Sequence, residues 1–197
     1  MSKVGTFLSL IKKDKRKIPA AITANIASTP ISHIIPDKMH LSVRYKAVFG
    51  RRLNWQKPEA FTEKLQWLKL FDRKPIYTQL ADKYLVRDYI KEKIGEEYLI
   101  PLLGVWDKPD DIDFKSLPEQ FVLKCTHDSG SVIICKDKET FDCSAAIKRL
   151  NARLQRNLFW LNREWVYKDI KPRVIAEKYM EDTKTGELRD YKLFCFD

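Results

Sequence analysis

The sequence has little of what a membrane-spanning, disulfide-rich or low-complexity protein requires. No uncharged apolar run approaches the roughly 20 residues of a transmembrane helix, and six glycines and nine prolines in 197 residues exclude a low-complexity chain. The four cysteines show neither C-x-x-C spacing nor a nearby histidine pair, which argues against a zinc site. We therefore expect a soluble globular protein of a reducing compartment, with mostly buried thiols at Cys125, Cys135, Cys143 and Cys195.

Acidic residues are nearly absent from the first part of the chain. Residues 1–57 contain twelve Lys or Arg and two Asp, whereas residues 58–197 contain 25 residues of each sign. The whole net charge of +10 therefore lies on residues 1–57, which we interpret as a basic N-terminal arm. Such an arm favours an acidic membrane surface, a polyanionic glycan or nucleic acid as a partner. The alternative is a solvated segment or helix pair that only packs on the rest of the protein.

Hydrophobic periodicity predicts helices followed by strands. We expect one helix to begin near Pro58, a second over Gln79–Ile94, and a third, capped by Asp142, that extends to Leu158. The predicted strands are Phe121–Cys125, Val132–Lys136, Arg173–Tyr179 and Leu188–Phe196. The sequence therefore predicts an α+β protein with a helical region over 58–118 and a sheet region over 119–197.

Lys124 lies in the otherwise apolar strand FVLKC, where a lysine needs a partner of opposite charge. The loop that follows contains Ser129, Gly130 and Ser131, small residues whose backbone N–H groups can approach a phosphate closely. A strand lysine beside such a loop suits a triphosphate. The alternative is a lysine that extends from a sheet edge above an ordinary hairpin.

Further along the chain, charged residues alternate with apolar ones in two strand-like runs. Glu177 shares a strand face with Ile175 and Tyr179, where its carboxylate could accept a hydrogen bond from an adenine amino group or pair with a lysine. Asp190 and Lys192 share a face of the last predicted strand, as an ion pair or as part of an anion cleft. Neither the P-loop pattern nor G-x-G-x-x-G occurs, so the common nucleotide signatures are missing.

Taken together, several runs resemble the TupA-like ATP-grasp family. The resemblance covers roughly residue 35 to the C-terminus, and its clearest parts are FVLKCTHDSGSVIICK (121–136), KPRVIAEKYM (171–180), LRDYK (188–192), FTEKLQWLK (61–69), DKY (82–84) and GVWD (104–107). It implies an ATP-grasp fold with ATP between two α+β subdomains. We expect a helical basic N-terminal region before them. Members are often labelled glycosyltransferases and are associated with the synthesis of cell-surface polysaccharide or teichuronopeptide.

The resemblance also implies roles for individual residues. Lys124 matches the strand lysine that contacts the ATP phosphates, and the loop 129–131 matches the mobile loop above them. The remaining nucleotide-binding residues that it implies are Glu177, Lys178 and Met180 at the adenine hinge, Asp190 and Lys192 on the strand facing the nucleotide, and Lys83 from the preceding subdomain. The implied reaction is activation of a carboxylate by Mg-ATP as an acyl phosphate, followed by attack of an amine.

The family takes its Mg²⁺ ligands from strands that follow the position of Lys192. We therefore expect residues 119–197 to form a partial nucleotide-binding region with an incomplete second subdomain, no complete metal site and little activity alone. The expected partners are ATP, an acidic or carbohydrate acceptor, and a membrane surface contacted through residues 1–57; nucleic acid is not expected. The expected location is the cytoplasm, at the inner face of the membrane.

Two other functions stay open at this point. The first is a glycosyltransferase of surface polysaccharide synthesis, for which the run Asp110-Asp111-Ile112-Asp113 is the candidate metal-binding motif. The second is a non-enzymatic module that binds polyanions through the basic arm, whose charge is interleaved with Tyr45, Phe49 and Trp55.

Overall fold

The computed structural model describes residues 29–182 together with residues 186, 191 and 193. The helices are α1 (Asp37–Phe49), α2 (Phe61–Phe71), α3 (Ile76–Ala81), α4 (Val86–Lys93), α5 (Cys143–Leu154) and α6 (Leu158–Asn162). The strands are β1 (Leu102–Trp106), β2 (Phe121–Cys125), β3 (Ile133–Cys135) and β4 (Val174–Lys178). Short 3-10 turns span Pro30–Ile34, Glu96–Tyr98, Pro109–Asp111 and Trp165–Tyr167.

The described residues pack into two compact units. Unit 1 comprises residues 29–82 and 156–171, and unit 2 comprises residues 83–155 and 172–182 with the described positions beyond them. These limits fall at other places than the segments 1–57, 58–118 and 119–197, because a step in charge along the chain does not mark where packing changes. Whether those three segments are domains stays a prediction.

The first helix expected from the sequence begins later than Pro58. The Glu63 carboxylate accepts hydrogen bonds from the backbone N–H groups of Glu59 and Ala60, both at 3.1 Å. These bonds satisfy donors that precede the helix, so α2 begins at Phe61 instead of at the proline.

The single helix expected over Gln79–Ile94 is wrong, since α3 ends at Ala81 and α4 begins at Val86. Two backbone bonds explain the break. The backbone N–H of Asp82 donates to the Thr78 carbonyl at 3.1 Å and ends α3. The backbone N–H of the next residue, Lys83, donates to the Thr126 carbonyl at 3.1 Å and not to a carbonyl of the helix. Lys83 is therefore tied to the loop that follows β2.

Unit 2 is built on a four-stranded sheet in the order β1-β4-β2-β3, in which every neighbouring pair is antiparallel. One face carries Phe121, Leu123 and Ala176, which are fully buried and pack with Leu150 of α5. The strand predicted over Phe121–Cys125 is confirmed, and β3 and β4 are each one residue shorter at both ends than expected. The strand predicted over Leu188–Phe196 lies outside the described residues.

Helix α5 begins where the sequence indicates. The Asp142 carboxylate accepts from the Ala145 N–H at 2.8 Å, which confirms the predicted N-cap. The expected extension to Leu158 is wrong, because α5 ends at Leu154 and α6 begins at Leu158 after its own cap, Asn157, whose side chain accepts from the Phe159 N–H at 2.9 Å.

In unit 1, the core includes Leu41 and Tyr45 of α1 and a fully buried Arg163. The Arg163 guanidinium pairs with the Asp37 carboxylate at 2.9 Å and donates to the carbonyls of Ser32 and Ile35. It therefore joins the start of α1 to the end of α6 through charge-assisted bonds.

The structure describes three of the four cysteines. Cys125 and Cys135 are buried free thiols as predicted, Cys143 is half-buried, and Cys195 lies outside the described residues. Burial raises the pKa of the Cys125 thiol to about 11, so this sulfur stays protonated. In the described ranges no helix is long and apolar enough to cross a membrane.

Candidate nucleotide-binding site

Lys124 and Glu177 lie on the same face of the sheet in unit 2. In the β2–β4 register Val122 is opposite Glu177 and Lys124 is opposite Ile175, so the two charged residues are diagonal neighbours. The Lys124 ammonium is 2.6 Å from a Glu177 carboxylate oxygen. The structure therefore joins directly two residues that the sequence singled out separately, 53 positions apart.

Arg87 of α4 is a third charged group at this position. One guanidinium nitrogen lies 3.2 Å from the second Glu177 oxygen, and another donates to the Ile100 carbonyl at 2.7 Å. Sequence reasoning missed Arg87. Its position on a polar helix carries no motif, and only the packing of α4 beside the strand that contains Glu177 gives it a role.

We call Lys124, Glu177 and Arg87 the charged triad. Its side chains are largely withdrawn from water, with 25%, 9% and 14% of their surfaces exposed. Two cations face one carboxylate, so the triad has a net charge of +1. A partly desolvated surplus of positive charge favours the approach of an anion.

The loop after β2 is fixed at its base and exposed at its tip. The Ser131 hydroxyl donates to the Asp128 carboxylate at 2.5 Å and accepts from the Cys125 N–H at 2.9 Å, and both Ser131 and Asp128 are buried. Ser129 and Gly130 are exposed, and Gly130 has a φ of 82°, which a residue with a side chain rarely adopts. The loop therefore offers the backbone of 129–130, whereas the Ser131 side chain holds it in place.

Two further cations contact this loop. The Lys83 ammonium donates to the Asp128 carbonyl. Arg153 lies 3.7 Å from the Asp128 carboxylate and donates to the Gly130 carbonyl at 3.3 Å. Lys83 therefore contacts the loop that follows β2, and its expected contact with the phosphates stays a prediction. Arg153 was missed because it lies on a helix whose sequence pattern indicates only packing.

The hinge residues Lys178 and Met180 follow Glu177 directly. The Lys178 N–H already donates to the Pro101 carbonyl at 3.0 Å, and both side chains are exposed. Strand alternation directs the Lys178 side chain away from the face that carries Glu177. Their contribution to nucleotide binding stays a prediction, as do those of Asp190 and Lys192, which lie outside the described residues.

The acidic run at 110–113 has structural contacts. The Asp110 carboxylate accepts from the Asn151 amide at 3.0 Å, and that of Asp113 accepts from the Lys115 N–H at 3.0 Å. In the part of the chain that the structure describes, no group of three or more His, Cys, Asp and Glu side chains is placed to hold a metal ion.

An antiparallel sheet with a helix-covered apolar face and a cationic opposite face defines unit 2 as an α+β module suited to an anionic ligand. The profile of the family described as TupA-like ATPgrasp matches residues 63–197, well over half of the sequence. The chain therefore belongs to the TupA-like ATP-grasp family, which confirms the resemblance and implies ATP binding. No curated protein and no solved structure matches the chain.

Proposed function

We propose that the chain binds ATP on the sheet face that carries the charged triad. The observation that supports the proposal most is the direct contact of Lys124 with Glu177, inside the region matched by the family. ATP brings several negative charges, and the triad and the nearby loop bring a surplus of cations.

In this proposal Lys124 neutralises phosphate oxygens. Its ammonium has three N–H donors, one of which is used by Glu177, and a quarter of its side chain is exposed. The loop tip at 129–130 supplies backbone N–H groups to the same phosphates. Lys83 and Arg153, which hold the loop by its carbonyls, keep that tip in position.

Glu177 serves the adenine end of the nucleotide. Each of its two oxygens already accepts from one cation, and a carboxylate oxygen has room for a second donor. An adenine amino group is such a donor. The hinge residues Lys178 and Met180 then contribute through their backbone, with Asp190 and Lys192 as further nucleotide-binding residues.

The reaction that we propose for the complete site is ATP-dependent ligation of a carboxylate to an amine. A carboxylate oxygen attacks the γ-phosphorus and ADP leaves, which gives an acyl phosphate. The amine nitrogen then attacks the acyl carbon, phosphate leaves, and the nitrogen loses a proton as the amide forms. Magnesium would neutralise charge on the phosphates, but the described residues offer no fitting cluster of ligands, so no metal ligand is assigned.

The proposed setting is synthesis of a cell-surface polysaccharide or teichuronopeptide, with an acidic or carbohydrate acceptor. We further propose that the protein works in the cytoplasm at the inner face of the membrane, which the basic residues 1–57 contact. The support for this contact is the charge of +10 on that segment.

The test of ATP binding is the substitution Lys124→Met. It removes the ammonium, keeps most of the side-chain volume and leaves Glu177 paired with Arg87. We expect the affinity for ATP, measured by calorimetry, to fall by about tenfold or more, as expected for the loss of a charge-assisted contact to phosphate. Thermal unfolding of the variant should stay cooperative.

A matched control is Lys148→Met, which removes an exposed lysine from α5, the helix that packs on the opposite face of the sheet. Its affinity for ATP should stay that of the unmodified protein. Equal ATP affinity of the Lys124→Met and unmodified proteins would show that the nucleotide does not use the charged triad.

A further inference from the structure

Two adjacent cavities occur within unit 1, and no residue assigned to ATP lines either of them. One has a volume of about 250 Å³ and the other about 400 Å³. They share three lining side chains, those of Gln66, Lys69 and Glu164. A single elongated ligand could therefore occupy both.

The smaller cavity has a surplus of positive charge. Among the described residues that line it, Arg44 and Lys69 are cationic and Glu164 is the single carboxylate. Lys69 lies 3.7 Å from Glu164, which is too long for a hydrogen bond, and donates to the Asn162 carbonyl at 3.1 Å. Arg44 donates to the Leu161 carbonyl at 2.6 Å. Among the described residues that line this cavity, the two cations therefore share one carboxylate, that of Glu164.

Both cations are partly removed from water. Burial lowers the pKa of Arg44 and that of Lys69, and Arg44 lowers the pKa of Lys69 further by charge repulsion. Glu164 acts in the opposite direction on both groups. One added negative charge would balance the cavity.

The larger cavity is mainly apolar. Leu65, Leu68 and Trp165 line it, and the leucines are 39% and 42% exposed although they belong to the apolar face of α2. The polar groups of Tyr77 and Trp165 are already paired, since Tyr77 donates to the Asp72 carboxylate at 3.1 Å and Trp165 donates to the Asp72 carbonyl at 3.3 Å. What this cavity offers a ligand is apolar surface.

We propose that the two cavities bind one amphipathic carboxylate. Its head would lie between Arg44 and Lys69, and its apolar body would cover Leu65, Leu68 and Trp165. A single carboxylate matches the net charge of +1 in the smaller cavity, whereas a phosphate monoester would exceed it. The basic residues 12–17 of the same chain are excluded as the occupant by their like charge.

The test uses calorimetry with the full chain and octanoate as the probe. Acetate keeps the head without the body, octyl glucoside keeps the body without the charge, and octyl phosphate changes the head. We expect octanoate to bind about tenfold or more tightly than each of the three, since head and body contribute together. Equal binding of octyl glucoside, tighter binding of octyl phosphate, or no binding of octanoate would each overturn the proposal.

Variants localise the binding. Lys69→Met and Arg44→Gln each remove one cation, and Leu68→Asp places a carboxylate in the apolar cavity at an exposed position that the fold does not require to be apolar. Each should weaken octanoate binding by about fivefold or more. Phe61→Asp makes the same kind of change on α2 at a residue that lines neither cavity, and should leave the affinity unchanged.

This binding is independent of the proposed ATP site. Lys124 lines neither cavity, so Lys124→Met should bind octanoate as the unmodified protein does. Loss of octanoate binding in the three cavity variants with ATP affinity retained would support the proposal, whereas unchanged octanoate binding in all three would contradict it.

Discussion

Arg87 and Lys124 each contact one oxygen of the Glu177 carboxylate. Substitution of Arg87 by Met should leave the Ile100 carbonyl without this donor and Glu177 with one cation instead of two. We expect the free energy of unfolding in urea to fall by about 1–3 kcal/mol, the usual cost of an unsatisfied, mostly buried polar group. Affinity for ATP should fall as well, because Glu177 would be less firmly oriented.

The control for Arg87 lies on the same helix. Lys91 is 58% exposed and pairs with Glu96 in water, so Lys91→Met should change the unfolding free energy by less than about 0.5 kcal/mol. Similar losses for Arg87→Met and Lys91→Met would mean that the contact of Arg87 with Glu177 does not stabilise unit 2.

His40 provides a pH-dependent prediction. Burial lowers the pKa of this imidazole from 6.5 to about 4, with smaller contributions from the charges of Arg163 and Arg44. Since the folded protein binds this proton less readily than the unfolded chain, stability from His40 is complete above pH 6.5 and is lost as the pH falls towards 4. We expect a loss of up to about 3 kcal/mol over this window.

The measurement is urea unfolding at a series of pH values, together with NMR titration of the His40 ring. A His40→Gln variant, which has no titrating group at this position, should lose less stability over the same window. A His40 titration midpoint near 6.5 in the folded protein would contradict the prediction.

At the scale of elements, the absence of a side chain at Gly104 allows the indole of Trp106 to lie against the backbone of β1. A Cβ atom added at Gly104 would clash with the ring of Trp106. The register with β4 shifts between Leu102 and Gly104, so the strand is already irregular there. We expect Gly104→Ala to lower the unfolding free energy by about 1–3 kcal/mol, the usual cost of overpacking.

A double-mutant cycle identifies the cause. If the clash with the indole is responsible, Gly104→Ala should cost clearly less in a Trp106→Ala background than in the unmodified protein. An equal cost in both backgrounds would point to the backbone of β1 instead of the ring.

Across the whole molecule, local signals predicted elements better than they predicted where chain segments meet. The strand Phe121–Cys125 and the Asp142 cap could be predicted because alternation and capping depend on neighbouring residues. The prediction of one helix over Gln79–Ile94 was wrong because a long-range hydrogen bond from the Lys83 N–H to the Thr126 carbonyl interrupts the helix.

In the candidate site, too, the sequence identifies single residues better than it identifies their contacts. Lys124 and Glu177 could be identified because a charge in an apolar strand needs a reason, but their mutual contact depends on the pairing of β2 with β4. Arg87 could not be identified, since nothing in its local sequence differs from that of an exposed helical cation. The roles expected for the basic residues 12–17 and for Asp190 and Lys192 stay predictions, because these residues lie outside the described ones.

The last prediction concerns the basic residues at the start of the chain. Residues 1–28 contain six Lys or Arg and one Asp, half of the total net charge of +10, whereas residues 29–57 include α1, which belongs to unit 1. Removing only 1–28 therefore tests the charge without removing α1. Since each Lys or Arg near an anionic membrane contributes about 1 kcal/mol, we expect sedimentation with phosphatidylglycerol vesicles to be lost and ATP affinity to be retained.

Replacing residues 12, 13, 15, 16 and 17 by Gln should have the same effect, and added salt should weaken binding of the full chain because it screens these charges. Vesicle binding that survives both changes would show that residues 1–28 do not attach the protein to the membrane.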